Sequence, residues 1–270
     1  MVELDGKRIV ITGPTGQVAK PLALALAKNN EVTAIARFNN AAARADLEAG
    51  GVRCVAVDLA AGDFSGISGD VDYVVNMAVA KTKSFDDDLA ANVEGLGLLM
   101  NRFQKAKAFL HCSSTAVYQA NGHRAFKEDD ELGDNHRVMS FMPTYSINKI
   151  AAEAMARYGA RQWQLPTVIA RLNVPYGDNG GWPWMHLEQV LGGQQIAVHT
   201  DEPSVSTRFT RTTSSGWCRD CSTWRLCRRR SSTGVAMTPS RSKSGRSTWA
   251  TWWARRPRSS RRIRHSSQCR

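Results

Sequence analysis

Over the first two hundred residues, apolar positions follow two alternating rhythms. Short, nearly continuous runs rich in β-branched residues predict strands at Lys7–Thr12, Glu31–Ala36, Val52–Val57, Val71–Asn76, Ala108–Leu110 and Leu165–Ala170. Such runs suit strands buried on both faces. Between them, alanine- and leucine-rich stretches predict helices over Pro21–Ala27, Asn40–Ala49 and Asp86–Lys105, with another carrying Tyr145. Strands alternating with helices at this pitch argue for parallel βαβ units, hence an α/β fold with a doubly wound parallel sheet.

Three segments carry candidate chemistry. Gly13-Pro-Thr-Gly16-Gln-Val-Ala19 lies between the first strand and the first helix. That context suits a dinucleotide fingerprint: Gly13 permits the tight turn and Gly16 lets backbone approach a pyrophosphate at the helix N-terminus. Ala19 stands where a third glycine would allow close packing; an ordinary strand–helix turn is the plainer alternative. Tyr145 and Lys149 lie four residues apart in Pro-Thr-Tyr-Ser-Ile-Asn-Lys, a spacing that places both on one helical face. A nearby ammonium favours the phenolate and suits the phenol to acid/base work. His111-Cys-Ser-Ser114-Thr-Ala-Val-Tyr118 follows a strand, so its hydroxyls fall where open α/β sheets bind ligands.

Jointly, Thr12-Gly-x-x-Gly16-x-x-Ala19, Ser-Ser114-x-x-Val-Tyr118 and Tyr145-x-x-x-Lys149 resemble the short-chain dehydrogenase/reductase superfamily. The likeness is to its extended branch of NAD(P)-dependent epimerases, dehydratases and reductases, and it covers roughly residues 7–203. It implies a Rossmann-type domain over 1–175, the start of a small C-terminal substrate lobe over 176–203, and an aberrant tail over 204–270. It makes Tyr145 the acid/base and Lys149 the group that lowers its pKa and holds the nicotinamide ribose. Ser114, three residues before the valine of Val-Tyr, would bond the substrate oxygen, and Asn92 would support the site. Cofactor contacts are implied for Gly13, Thr15, Gly16, Gln17, Val18, Arg37, Asp58, Leu59, Met77, Ala78, Val79, Tyr145 and Lys149. Asn173 and Tyr176, with Ser114, are the implied substrate contacts, and an intact member is expected to be a homodimer. Read singly, Asn92 is more readily a surface polar residue, and Asp58 is equally a helix N-cap.

Local departures narrow these expectations. A carboxylate ending strand two would bond the adenosine 2′-hydroxyl, whereas an arginine accommodates a 2′-phosphate. Here the strand ends Ala36-Arg37-Phe38-Asn39, so NADP is expected, with NAD as the alternative. Dehydratases of the branch carry Asp-Glu after the hydroxyl residue; Thr115-Ala116 stands there, which argues against dehydration. In Arg171-Leu-Asn173-Val-Pro-Tyr176-Gly177 the asparagine sits one position early, which puts a sugar-nucleotide substrate in doubt. The expected reaction is hydride transfer between nicotinamide and a carbinol or carbonyl carbon. A non-catalytic cofactor sensor is the second class, disfavoured by the intact Ser114, Tyr145 and Lys149.

Composition changes the picture only beyond residue 203. Residues 1–203 carry 19 basic and 23 acidic side chains, whereas 204–270 carry 17 basic and 1 acidic (Asp220), so the basic pI of 9.8 belongs to the tail. Only 5 of its 67 residues are Leu, Ile, Val or Phe, against 16 arginines and 15 serines, too few to build a core. A nucleic-acid arm is one reading of such a tail, and a zinc knot around Cys218, Cys221 and Cys227 lacks a matching second pair. Arg, Ser, Trp and Cys enriched together point instead to a shifted reading frame. Joining the last base of each codon to the first two of the next turns Trp217-Cys218 into valine and Met237-Thr238 into aspartate. It also permits Ile-His-Glu-Asp-Asp near Thr207–Ser214, a segment like one expected there in the extended branch. A frameshift near residue 204 is therefore expected, with an inactive or poorly active 270-residue chain.

The remaining signals are bland. No apolar run approaches ~18 residues, the first residues do not read as a signal peptide, and Cys54 and Cys112 suit buried thiols in a reducing cytoplasm. His123, His136, His186 and His199 fall at no ligand spacing, so no metal is assigned.

Overall fold

Six strands were expected from the apolar runs, and six parallel strands form the main sheet of the computed structural model. They are β1 (Arg8–Thr12), β2 (Glu31–Ala36), β3 (Arg53–Ala56), β4 (Tyr73–Asn76), β5 (Ala108–Ser114) and β6 (Thr167–Leu172), in the spatial order β3-β2-β1-β4-β5-β6. The structure describes residues 4–122, 124–177, 180–196 and 208–209, all within one compact unit, Met1–Met237. Strand order reverses between β1 and β4, and at such a switch point the carboxyl ends of adjacent strands open a crevice. The α/β, Rossmann-type doubly wound fold is what the alternating pattern requires.

Successive residues of each central strand feed opposite cores. Ile9 and Ile11 point with Val75 and Leu110 into one layer under α1 (Ala19–Leu26) and α2 (Ala41–Ala49). Val10, Val74 and Phe109 point into the other, against Leu96, Leu99, Met100 and Phe103. Burial on both faces explains why these strands read as continuous apolar runs rather than alternating ones. Local chemistry sets the helix ends. Asn40 Oδ1 accepts from the Ala43 amide and starts α2, and Ser84 Oγ does the same for Asp87 in α3 (Phe85–Leu89).

The stretch expected as one helix over Asp86–Lys105 is broken in three. After α3, a π turn spans Ala90–Glu94 and α4 runs Gly95–Arg102. A π turn adds a residue and so shifts the phase of the side chains that follow, but a single turn of 5 residues is too short for periodicity to place. Gly95 lets the helix press on the chain after β3: a Cβ there would lie 2.7 Å from the Leu59 carbonyl oxygen. β5 runs four residues beyond its apolar Ala108–Leu110 core, through Ser114, and a 3₁₀ turn (Thr115–Val117) follows. The long helix α5 spans Tyr145–Gln162 and begins on Tyr145 itself.

Beyond β6, β7 (Val174–Gly177) pairs antiparallel with β8 (Gly180–Gly181), and α6 (Trp182–Leu191) follows. A two-residue strand, β9 (Arg208–Phe209), runs parallel beside Val174 and Pro175. The remainder of the segment expected to be aberrant, 210–270, lies outside the described residues, as do His123, His199 and 204–207. Among the described residues no helix is long and apolar enough to cross a membrane, and no group of three His, Cys, Asp or Glu could hold a metal.

Candidate active site

The turn after β1 is locked to the end of β4. Thr12 is fully buried; its Oγ1 donates to Asn76 Oδ1 at 2.6 Å and accepts from the Met77 and Ala78 amides at 3.1 and 3.0 Å. Gly13 follows at φ +65°, and a Cβ there would sit 2.7 Å from Ala78 Cα. Glycine is thus required twice, by conformation and by the approach of backbone. Thr15 and Gly16 are exposed, Gln17 and Val18 half-buried, and no side chain caps the start of α1. The Gly16 amide donates to the Gly13 carbonyl and the Lys20 amide to the Gly16 carbonyl, which closes the turn into the helix. Ala19 is buried, small enough to seat the helix on the sheet.

Across the crevice, α5 delivers Tyr145 and Lys149 to one face. Lys149 is buried, its Nζ donates to the Cys112 carbonyl at 2.8 Å, and it lies 5.9 Å from the centre of the Tyr145 ring. Of the three neighbouring hydroxyls, Ser113 Oγ donates to Glu153 Oε1 at 2.5 Å and Thr115 Oγ1 to the Leu172 carbonyl at 3.4 Å. Ser114 Oγ accepts from the Ala116 amide and is the one of the three whose proton has no acceptor among the described residues. Asn92 rides on the π turn: its Oδ1 accepts from Ala80 N at 2.7 Å and its Nδ2 donates to Ala80 O at 3.0 Å. It thereby clamps the chain leaving β4. Ala78, Val79, Asn92, Tyr145 and Lys149 line one small cavity, together with His111, Asn148 and Ala152.

The other expected contacts lie further off. Arg37 is exposed after β2, and Asp58 is exposed after β3 with Oδ1 accepting from Ala60 N, while Leu59 packs on the core. Asn173 is half-buried just past β6. Tyr176 belongs to β7, and its side chain lies outside the described part.

Several residues here carry no sequence signal of a role. Lys81 Nζ stands 5.0 Å from the Tyr145 ring centre, and the His136 ring meets the same ring edge-on at 5.0 Å. Asp88, inside an exposed-looking acidic run, is buried; its Oδ2 accepts from Thr144 Oγ1 at 2.6 Å and its Oδ1 from Thr82 N and Oγ1. It thus ties the residue before Tyr145 to the chain after β4. Arg171 grips Glu153 through two bonds of 2.9 and 2.8 Å.

Burial, reinforced by the Lys149 cation, holds His111 well below the usual histidine pKa, and burial with Lys81 lowers His136. Burial raises the Cys112 thiol. A histidine whose folded pKa is depressed favours folding above its unfolded value of about 6.5 and loses that contribution as pH falls below it. Stability should therefore drop between pH 6.5 and 5.5, by up to about 1.4 kcal/mol per pH unit for the fully buried His111 ring, with a smaller part from the half-buried His136. Melting curves at pH 7.5, 6.5 and 5.5 read this, and His111→Phe should flatten the slope; an unchanged slope would contradict it.

Comparison with known proteins places the fold. The UDP-glucuronic acid 4-epimerase of Bacillus cereus, solved with NAD, superposes with a TM-score of 0.67 at 20% identity, over 84% of this chain and 76% of that one. The UDP-N-acetylglucosamine 4-epimerase of Methanobrevibacter ruminantium M1 gives 0.63 at 19% identity, over 77% and 70%. The Bordetella bronchiseptica enzyme WbmH, solved with NAD+, gives 0.63 at 18% identity, over 79% and 71%. No curated protein sequence matches. The model of the NAD dependent epimerase/dehydratase family matches residues 9–194, and the chain belongs to that family.

Proposed function

We propose that the chain binds a nicotinamide dinucleotide across the switch point and passes hydride between its nicotinamide and a carbinol or carbonyl carbon of a small substrate. The observation that carries this is the convergence of Tyr145, Lys149, Asn92, Ala78 and Val79 on one cavity, a strand away from the glycine turn. The pyrophosphate would meet the start of α1 at Gly13–Val18, where no side chain caps the helix. The ribose would lie over Lys149. When bound, the cofactor supplies the hydride acceptor or donor. Tyr145 then gives or takes the proton at the substrate oxygen, and Ser114 donates to that oxygen and fixes it. Lys149, held by the Cys112 carbonyl, keeps a positive charge beside the phenol.

Arg37 supports NADP as the preferred cofactor, because it is exposed just past the end of β2, which carries no carboxylate there, and a guanidinium suits a 2′-phosphate. NAD is the second reading, favoured by the NAD held in the B. cereus and B. bronchiseptica structures. Fluorescence titration with NADPH and NADH decides between them. Arg37→Asp should shift the NADPH/NADH affinity ratio toward NADH by about tenfold or more, the order of one lost charge-assisted contact. An unchanged ratio removes the NADP reading.

The substrate carries a hydroxyl or carbonyl. The named sugar-nucleotide epimerases favour a UDP-sugar, and the early position of Asn173 argues for a different anchoring of it. The division into 1–175, 176–203 and 204–270 is part of the same reading, as is a frameshift near residue 204 that leaves this form with little turnover. Buried free thiols at Cys54 and Cys112 suit a reducing cytoplasm. Resequencing the coding DNA around codon 205 tests the frameshift: restoring one base should open a frame that runs well past codon 270.

A further inference from the structure

Thr12 and Asn76, at the carboxyl ends of β1 and β4, and His111, midway along β5, stand side by side in register. Counting protons fixes the direction of every bond between them. Thr12 Oγ1 already accepts two backbone amides, so its single proton goes to Asn76 Oδ1. Asn76 must then turn Nδ2 to His111 and donate to Nδ1 at 3.0 Å. A neutral imidazole that accepts at Nδ1 carries its proton on Nε2. That Nε2 is buried and meets no acceptor among the described residues. Burial and the neighbouring Lys149 cation keep the ring neutral.

On α5, Asn148 is left in the complementary state. Its Nδ2 donates to the Thr144 carbonyl at 3.0 Å, which commits the amide's orientation. Oδ1, on the other side of the amide, is buried and has no donor. His111 and Asn148 are 2% and 3% exposed, and both line the same cavity of about 10 Å³, beside Asn92, Tyr145 and Lys149. The two orphaned atoms make no direct bond. A cavity of this size, with a donor on one wall and an acceptor on another, accommodates one water molecule.

We propose that His111 is a positioning residue: its Nε2–H and Asn148 Oδ1 hold one ordered water beside Lys149. That water completes a hydrogen-bonded line from the glycine turn, through Thr12, Asn76 and His111, to the helix that carries the acid/base. The water accepts from His111 and donates to Asn148, leaving one donor and one acceptor arm for its other neighbours. Lys149 has ammonium protons beyond the one given to Cys112 and faces the same cavity. The line does not shuttle protons, because His111 Nδ1 is already occupied by Asn76. It holds the lysine in place, so dinucleotide seating depends on a ring that does not touch the cofactor. This last step rests on the reading, made above, that Lys149 holds the ribose.

The test uses the 270-residue chain. Long-range ¹H–¹⁵N correlation of the histidine rings should show His111 as the Nε2–H tautomer, and crystallographic density should show a water within hydrogen-bond reach of both His111 Nε2 and Asn148 Oδ1. An Nδ1–H tautomer, or a dry cavity, overturns the proposal. His111→Gln keeps a donor, whereas His111→Phe does not. His111→Phe should weaken NAD(P)H binding about tenfold, in the range seen when a supporting hydrogen bond behind a binding group is lost, while His111→Gln stays within about threefold. Equal effects from the two, at equal melting temperature, also overturn it. If the wild-type chain binds no dinucleotide, the functional reading fails, and the tautomer and the water still decide the inference.

Discussion

Tyr145→Phe should lower turnover by about 10²–10⁴-fold, the usual contribution of a positioned proton donor, and leave dinucleotide affinity within about twofold. The substitution removes one oxygen. The ring keeps its edge contact with His136 and its place beneath Lys81 Nζ, and α5 keeps its first residue. Folding and the proposed cofactor seat on Lys149 and the glycine turn are therefore spared. What disappears is the group that moves the proton as hydride travels, a role needed only in the transition state. Such a loss falls on kcat with little change in substrate affinity. The comparison belongs in one in-frame chain, wild type and variant side by side, with UDP-sugars as the first substrates offered. A variant that retains even a third of wild-type turnover would remove Tyr145 from the chemistry.

The parts of this molecule visible in the chain are those written in short-range patterns. Continuous apolar runs placed the strands because the sheet is covered on both faces, and Gly13 announced itself because only glycine fits its turn. The i, i+4 spacing of Tyr145 and Lys149 is fixed by the helix alone. Other site residues depend on partners far away in sequence. His111 looks like an ordinary polar residue within a strand, and its bonding is decided by Asn76, thirty-five positions earlier. Asp88 reads as one of three acidic residues at a helix start, and only its meeting with Thr144, 56 positions on, makes it a buried tie. Asn92 was visible through resemblance, yet the π turn that aims it at Ala80 is a phase shift confined to 5 residues, too short for periodicity to place.

Glu153→Ala should cost about 3–5 kcal/mol, the range for stranding one member of a buried ion pair, and lower the melting temperature by roughly 10 °C or more. Glu153 is almost fully buried on α5, and Arg171 on β6 is nearly so. The carboxylate takes two bonds from the guanidinium and a third from Ser113 Oγ, the residue directly across from Arg171 in the β5–β6 pairing. Arg171 in turn donates to the Glu128 carbonyl and lies over the Tyr118 ring at 4.8 Å. Truncating the carboxylate leaves a mostly buried guanidinium, which stays charged by its own chemistry, without its carboxylate partner. The penalty comes from the stranded charge more than from a large favourable energy of the pair. Replacing both members with apolar residues, Glu153→Leu with Arg171→Met, should therefore recover most of the lost stability. Thermal and denaturant unfolding of the three variants separate the two accounts: a double variant as unstable as Glu153→Ala would mean that the pair itself is strongly favourable. Ser113 neighbours Ser114, and Glu153 lies on the helix that begins at Tyr145. The single variant should thus also loosen the strand end that carries Ser114, the proposed substrate contact, lowering turnover more than dinucleotide affinity.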